Sequence, residues 1–181
     1  MKKNNIIILV VTVLLCLAPM MLGAALYDEL PEQMPIHFNI NDEPDNYAHK
    51  NIALFGIPVI IAVLQFVCCF VTMIKAKEEK IPKIAKIMYA FVPILGIVVY
   101  SLMIGYTLGF DVYIGKCVCL LVGILFVLIG NYTPKMSYES GRKYFHHPYP
   151  KDEKAFRKMS KITGYSFVVL GIIFLVLVFI V

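Results

Sequence analysis

Tryptophan is missing from all 181 residues, and charge is missing from five long stretches of them. The second absence is the more informative. Residues 6–26, 52–74, 87–107, 112–130 and 163–181 hold no Asp, Glu or Arg, and Lys116 is their one lysine. Uncharged apolar runs of 18 or more residues are too long for ordinary core helices and have the length of membrane spans. Ionisable side chains buried in the membrane would mark a transport or conduction path, so their near absence counts against a channel or transporter. There is no CxxC pair and no secreted-type cysteine framework. The five cysteines (Cys16, Cys68, Cys69, Cys117 and Cys119) all lie within the apolar stretches, where they read as small apolar side chains. No basic patch interleaved with aromatics is present, so direct nucleic-acid binding is not expected.

What is present is hydrophobicity in blocks. Hydrophobic residues make up 60% of the chain, and the mean hydropathy is +0.78. The polar remainder is too fragmented for a separate soluble core. The predicted fold class is therefore all-α: a polytopic membrane helix bundle of about five transmembrane helices in a single integral domain, with the lipid bilayer as its first partner. Residues 6–26 rise about 31 Å as a helix, the thickness of the hydrocarbon core. That stretch exceeds the apolar region of a cleaved signal peptide, so an uncleaved helix is expected. The fifth helix is predicted over 163–181.

Charge predicts orientation. Residues 27–51 carry six acids against Lys50 alone, whereas residues 75–86 carry five lysines and residues 131–162 carry eight Lys or Arg against three acids. With positive charge retained in the cytoplasm, the N-terminus is predicted inside, 27–51 outside, 131–162 inside and the C-terminus outside. Residues 108–111 form the tight outer turn between the third and fourth helices, and Lys116 can snorkel to that surface.

The outer segment 27–51 is Pro-rich. Pro31, Pro35 and Pro44 forbid a long helix, and Asn39, Asn41, Asp42, Asp45 and Asn46 are turn formers. An ordered extended-and-turn segment at the membrane surface is predicted, with Phe38 and Tyr47 as anchors. His37, Asn39, Asp45 and His49 could act as acid/base or metal-binding groups. The blander reading is that His37 and Asp45 hydrogen-bond to shape the turn, and no short zinc pattern is present. His146-His147 are adjacent residues in the opposite loop and read as surface.

Two motifs resemble those of the bacterial SdpI-type immunity family. Leu30-Pro31, Met34-Pro35, His37, Asn39, Glu43-Pro44-Asp45 and Lys50 are similar to its L-P-x-x-[IM]-P-x-H-x-N-x-x-G-x-x-D segment. Asp42 stands where glycine is usual, in a turn that calls for positive φ. Gly130, Asn131, Tyr132, Pro134 and Lys135 match its G-N-Y-x-P-K signature. From the residues themselves, Gly130 and Asn131 are expected to end the fourth helix and Pro134 to prevent its resumption, while Lys135 meets anionic headgroups. The likeness runs from Met1 to about Lys135. It then departs over residues 136–144, where relatives continue differently and often add a sixth span.

The resemblance implies a protein of the bacterial cell membrane that protects against a secreted peptide toxin and signals to a transcriptional repressor at the cytoplasmic face. Pro35, His37, Asn39, Asp45 and Lys50 are the expected outer contacts, and no cofactor is expected. A membrane enzyme or metal-binding protein built on the His37, Asn39 and Asp45 cluster is the alternative, and a small transporter the next. On the inner side, residues 151–161 are predicted to form an interfacial helix, with Phe156, Met159 and Ile162 as an apolar stripe that lies in the surface or docks a partner.

Overall fold

The structure, a computed structural model, describes residues 3–39, 41–76, 81–144 and 150–180. Lys2, the middle of the 75–86 loop and His146-His147 lie outside them. The chain is an all-α membrane bundle carrying one small two-stranded sheet. Among the described residues five helices are long and apolar enough to cross a bilayer: Lys3–Ala25, Ile52–Ala76, Lys83–Thr107, Ile114–Lys135 and Glu153–Leu177.

The first of these is α1 (Lys3–Leu17) followed by α2 (Pro19–Ala25). Pro19 has no N–H to offer the preceding turn, and the helix breaks there. Strands β1 (Gln33–Phe38) and β2 (Pro44–His49) form an antiparallel hairpin in the connection that follows. A π-helical turn over Ile52–Gly56 leads into α3 (Ile57–Ala76). Helix α4 spans Lys83–Thr107, starting a turn earlier than the apolar run because Lys83 and Lys86 are good helix formers that extend into the solvated rim. Its far end closes with Gly109 at φ +85°, the Gly109 N–H donating to Tyr106 O and the Phe110 N–H to Gly105 O. That is the glycine-dependent Schellman ending, and it delivers the tight turn into α5 (Ile114–Tyr132). After α6 (Tyr138–Tyr144), helix α7 runs unbroken over Glu153–Leu177. Residues 153–161 are thus its first turns and not a separate helix. The Asp152 carboxylate caps it, accepting from Ala155 N–H at 2.7 Å, and no proline interrupts the passage into the apolar run. The expected stripe divides: Phe156 is buried against Tyr138, while Met159 and Ile162 are exposed.

Lipid replaces water as solvent, so many large apolar side chains face outward, among them Ile60, Val63, Leu64 and Val67. Helix pairs in lipid associate through close backbone packing. Helices α5 and α7 do this with glycines at matched seven-residue spacing. A Cβ at Gly123 or Gly171 would sit about 3 Å or less from the other's carbonyl oxygen, and one at Gly130 would lie 2.6 Å from Gly164 O. Gly130 therefore does not end the helix, as its sequence context predicts. The helix continues to Tyr132, and Gly130 is the place where α7 comes closest.

Helices α3 and α4 are held differently. Pro93 lies inside α4 and has no N–H for the carbonyl of Tyr89, four residues before it. Gln65 of α3, a buried polar residue inside a span, donates its side-chain amide to that carbonyl at 3.0 Å. The arrangement recurs toward the hairpin. Pro58 cannot serve the carbonyl of Leu54, and the Tyr100 hydroxyl of α4 donates to it at 3.2 Å. The ring of Pro58 would also crowd that carbonyl in a regular helix, which accounts for the wider turn over Ile52–Gly56. Gly23 makes room for Tyr100, since a Cβ there would overlap its hydroxyl.

Candidate functional site

The hairpin is the candidate site, and its turn is built by one side chain. Asn39 Oδ1 accepts from the backbone N–H of Asn41 at 2.9 Å and of Glu43 at 3.0 Å. Its backbone N–H donates to Glu43 O, and its carbonyl accepts from Asp42 N–H. Asn39 is thus spent on the loop, as Asx turns require. Asp42 adopts φ +59°, the left-handed conformation that favours glycine. Its carboxylate offsets that strain by accepting from Gly115 N–H at 2.6 Å, in the first turn of α5. A helix start welcomes a carboxylate, so the residue that departs from the usual glycine pins the tip of the hairpin to the bundle. Phe38 packs edge-on against Tyr106 of α4 with ring centres 5.0 Å apart.

The base of the hairpin is held by ions. The Lys50 ammonium lies 2.9 Å from Glu32 Oε1 and 4.2 Å from the centre of the Tyr27 ring, with its stem buried. The hydrogen bond from Lys50 holds the Glu32 carboxyl below its ordinary value, and Glu32 in turn raises the Lys50 ammonium. His49 Nε2 lies 3.0 Å from the other Glu32 oxygen, while His49 Nδ1 accepts from Asn51 N–H. The neutral tautomer with its proton on Nε2 satisfies both contacts. Tyr27 donates to Asn51 Oδ1 at 2.7 Å. Beneath this base, Leu30 and Met34 are buried with Ala53, Leu54, Tyr100, Met103 and Ile104.

The five residues expected as outer contacts therefore divide. Pro35 is buried, Asn39 organises the turn and Lys50 ties the base. His37 and Asp45 stand outward as a pair, Nδ1 to Oδ1 at 2.5 Å, with side chains 66% and 46% exposed. Bulges on either side of His37 turn it out of the regular strand alternation. His49 belongs to the Glu32 pair at the other end of the ladder. No three His, Cys, Asp or Glu side chains gather into a metal-binding group among the described residues. Glu32, Tyr27 and the docking role of Asp42 were not read from the sequence. Glu32 carried a signal, being the acid whose side chain could reach Lys50 once the strands pair.

At the opposite end of the bundle the second motif is wired to itself. Lys135 donates to Asn131 Oδ1 at 2.8 Å across one helical turn, and the ammonium groups of Lys135 and Lys83 lie 5.4 and 5.7 Å from the centre of the Tyr132 ring. Pro134 packs into Gly164, where a Cβ would lie 2.6 Å from its ring.

A five-span helical bundle with an ordered, end-docked hairpin defines a class of small polytopic membrane proteins. A family profile described as "Domain of unknown function (DUF1648)" matches residues 14–62, the stretch that contains the hairpin. The chain is also 28% identical over 182 residues to "Immunity protein SdpI" of Bacillus subtilis (strain 168), covering 99% of this chain and 83% of that protein. No solved structure matches. The chain is thus similar along nearly its whole length to an SdpI-type immunity protein, and the stretch that bears its hairpin matches the DUF1648 profile.

Proposed function

We propose that this chain is an immunity protein of the bacterial membrane that protects its cell against a secreted peptide toxin. Similarity to an immunity protein along nearly the whole chain carries the reading. The hairpin faces the outside, because the lysine-rich connections lie at the other end of the bundle and belong in the cytoplasm. On this reading both the C-terminus and the toxin-contact surface lie outside. His37, Asp45 and the half-exposed Tyr47 stand on the exposed surface of the hairpin, and the six acids of 27–51 attract a cationic or amphipathic peptide. Pro35, Asn39 and Lys50 hold that face in shape. Occupation of the hairpin is relayed to a cytoplasmic regulator, for which the exposed Met159 and Ile162 of α7 offer contacts.

The test is survival of a sensitive bacterium expressing the chain and challenged with secreted antibacterial peptides. Protection by the wild type, lost in His37→Ala and Asp45→Ala at equal membrane abundance, is the expected result. Protection unchanged in both variants refutes the hairpin as the contact. If correctly inserted wild type protects against no peptide, the immunity reading falls, and the paired His37 and Asp45 become candidates for acid/base chemistry.

A further inference from the structure

We propose that the end of the bundle opposite the hairpin binds one anionic phospholipid, with its phosphate between Lys83 and Lys135 and an acyl chain in the groove between α3 and α4. The proposal does not depend on the immunity reading.

Two cavities meet there. The smaller, about 320 Å³, is lined by Lys83, Tyr132, Lys135, Ser137 and Ser140. The larger, about 730 Å³, is apolar, and both are bounded by Pro82, Ile84 and Met136. Two ammonium groups converge on one tyrosine ring, and among the described residues neither is paired with a carboxylate. Ser137 donates to Ser140 Oγ at 2.9 Å, which leaves the Ser140 hydroxyl proton free for an acceptor. Two lysines and a hydroxyl donor suit a phosphate. Basic pockets between membrane helices are recognised headgroup sites.

The groove decides between a lipid and a free anion. It is lined along α4 from Ile84 to Met103, about 28 Å of helix, whereas one leaflet accounts for only about half of the 30 Å core. An acyl chain entering at the lysines fits with room to spare. Tyr89 lines the groove six residues into α4 from Lys83, about 9 Å deeper, and is 4% exposed, with its hydroxyl near Thr72, which lines the same groove. Gln65 and Tyr100 line the groove too, and their side-chain bonds tie α4 to α3 and to the turn that precedes it.

The test is native mass spectrometry of the full-length protein exchanged against equimolar phosphatidylglycerol and phosphatidylcholine with identical chains. A preference for the anionic lipid of about tenfold or more is expected from two lysines. Lys83→Gln combined with Lys135→Gln should remove the preference, and Lys154→Gln combined with Lys158→Gln, on the exposed start of α7, should leave it intact. Gly96→Leu tests the chain separately: Gly96 lines the groove and a Cβ there meets nothing within 4 Å, so this variant should fold normally by circular dichroism yet retain less of either lipid. The proposal is overturned by equal retention of the two lipids, by equal loss of preference in both double variants, by undiminished retention in Gly96→Leu, or by inorganic phosphate displacing the lipid.

Discussion

Gln65→Leu should destabilise the protein through a carbonyl that Gln65 does not own. The substitution is close to isosteric and replaces a buried amide by an apolar group, so packing and hydropathy alone favour it in lipid. Against this, the Tyr89 carbonyl loses the donor that Pro93 denies it. An orphaned carbonyl in a buried setting costs about 1–3 kcal/mol, and side-chain hydrogen bonds in membranes average nearer 1 kcal/mol; a net loss of about 1–2 kcal/mol follows. In a Pro93→Ala background the new Ala N–H can serve Tyr89, so Gln65→Leu should then cost about nothing. The coupling between the two sites is the measured quantity. Unfolding of the four proteins in mixed micelles with increasing dodecyl sulfate, followed by circular dichroism, supplies it. Alkylation of the fully buried Cys69, one turn from Gln65, is a second readout. Equal cost of Gln65→Leu in both backgrounds, within about 0.3 kcal/mol, would refute the reasoning.

At the hairpin tip, Asp42→Gly should be nearly neutral and Asp42→Ala should lose about 1–2 kcal/mol of local stability, because glycine relieves the positive φ while alanine keeps the strain and loses the bond to Gly115; protease nicking of the hairpin ranks them. Gly164→Ala should cost about 1–3 kcal/mol by forcing α7 from Pro134 and Gly130, read as a lower dodecyl sulfate midpoint, whereas Gly96→Ala should not. Glu32 has a lowered folded pKa, so the stability it lends the hairpin base is complete above its ordinary 4.5 and is lost as pH falls below that value. Lys50 has a raised one, so its share is present below 10.5 and is lost above. Protection of the hairpin amides, taken relative to the intrinsic exchange rate at each pH, should fall on acidification below pH 4.5, and Glu32→Gln should remove that dependence.

The spans were legible because lipid leaves few alternatives to long uncharged helices. The helix ends were less so. Lys83 and Glu153 extend helices past the apolar runs, since a charged side chain breaks hydropathy and not helix geometry. Gly130 reads as a helix terminus, and local sequence cannot separate that role from a close helix contact; the deciding partner, Gly164, lies in another helix. Within the site, the extended-and-turn character of 27–51 was readable from its prolines and asparagines. The division of labour was not, because Asn39 and Lys50 look as available as His37 until the strands pair and bring Glu43 and Glu32 beside them.

The exchange between α3 and α4 bears on how the chain enters the membrane. Each helix carries a carbonyl that its own proline has stranded, and each holds the donor that rescues the other's. Alone in lipid, either would present an unmet acceptor to hydrocarbon. The Gln65 donor is synthesised before Pro93 arrives, but the carbonyl of Leu54 must wait for Tyr100. The pair is thus expected to remain at the insertion machinery until translation has passed the second proline, and to partition into the bilayer together as one helical hairpin.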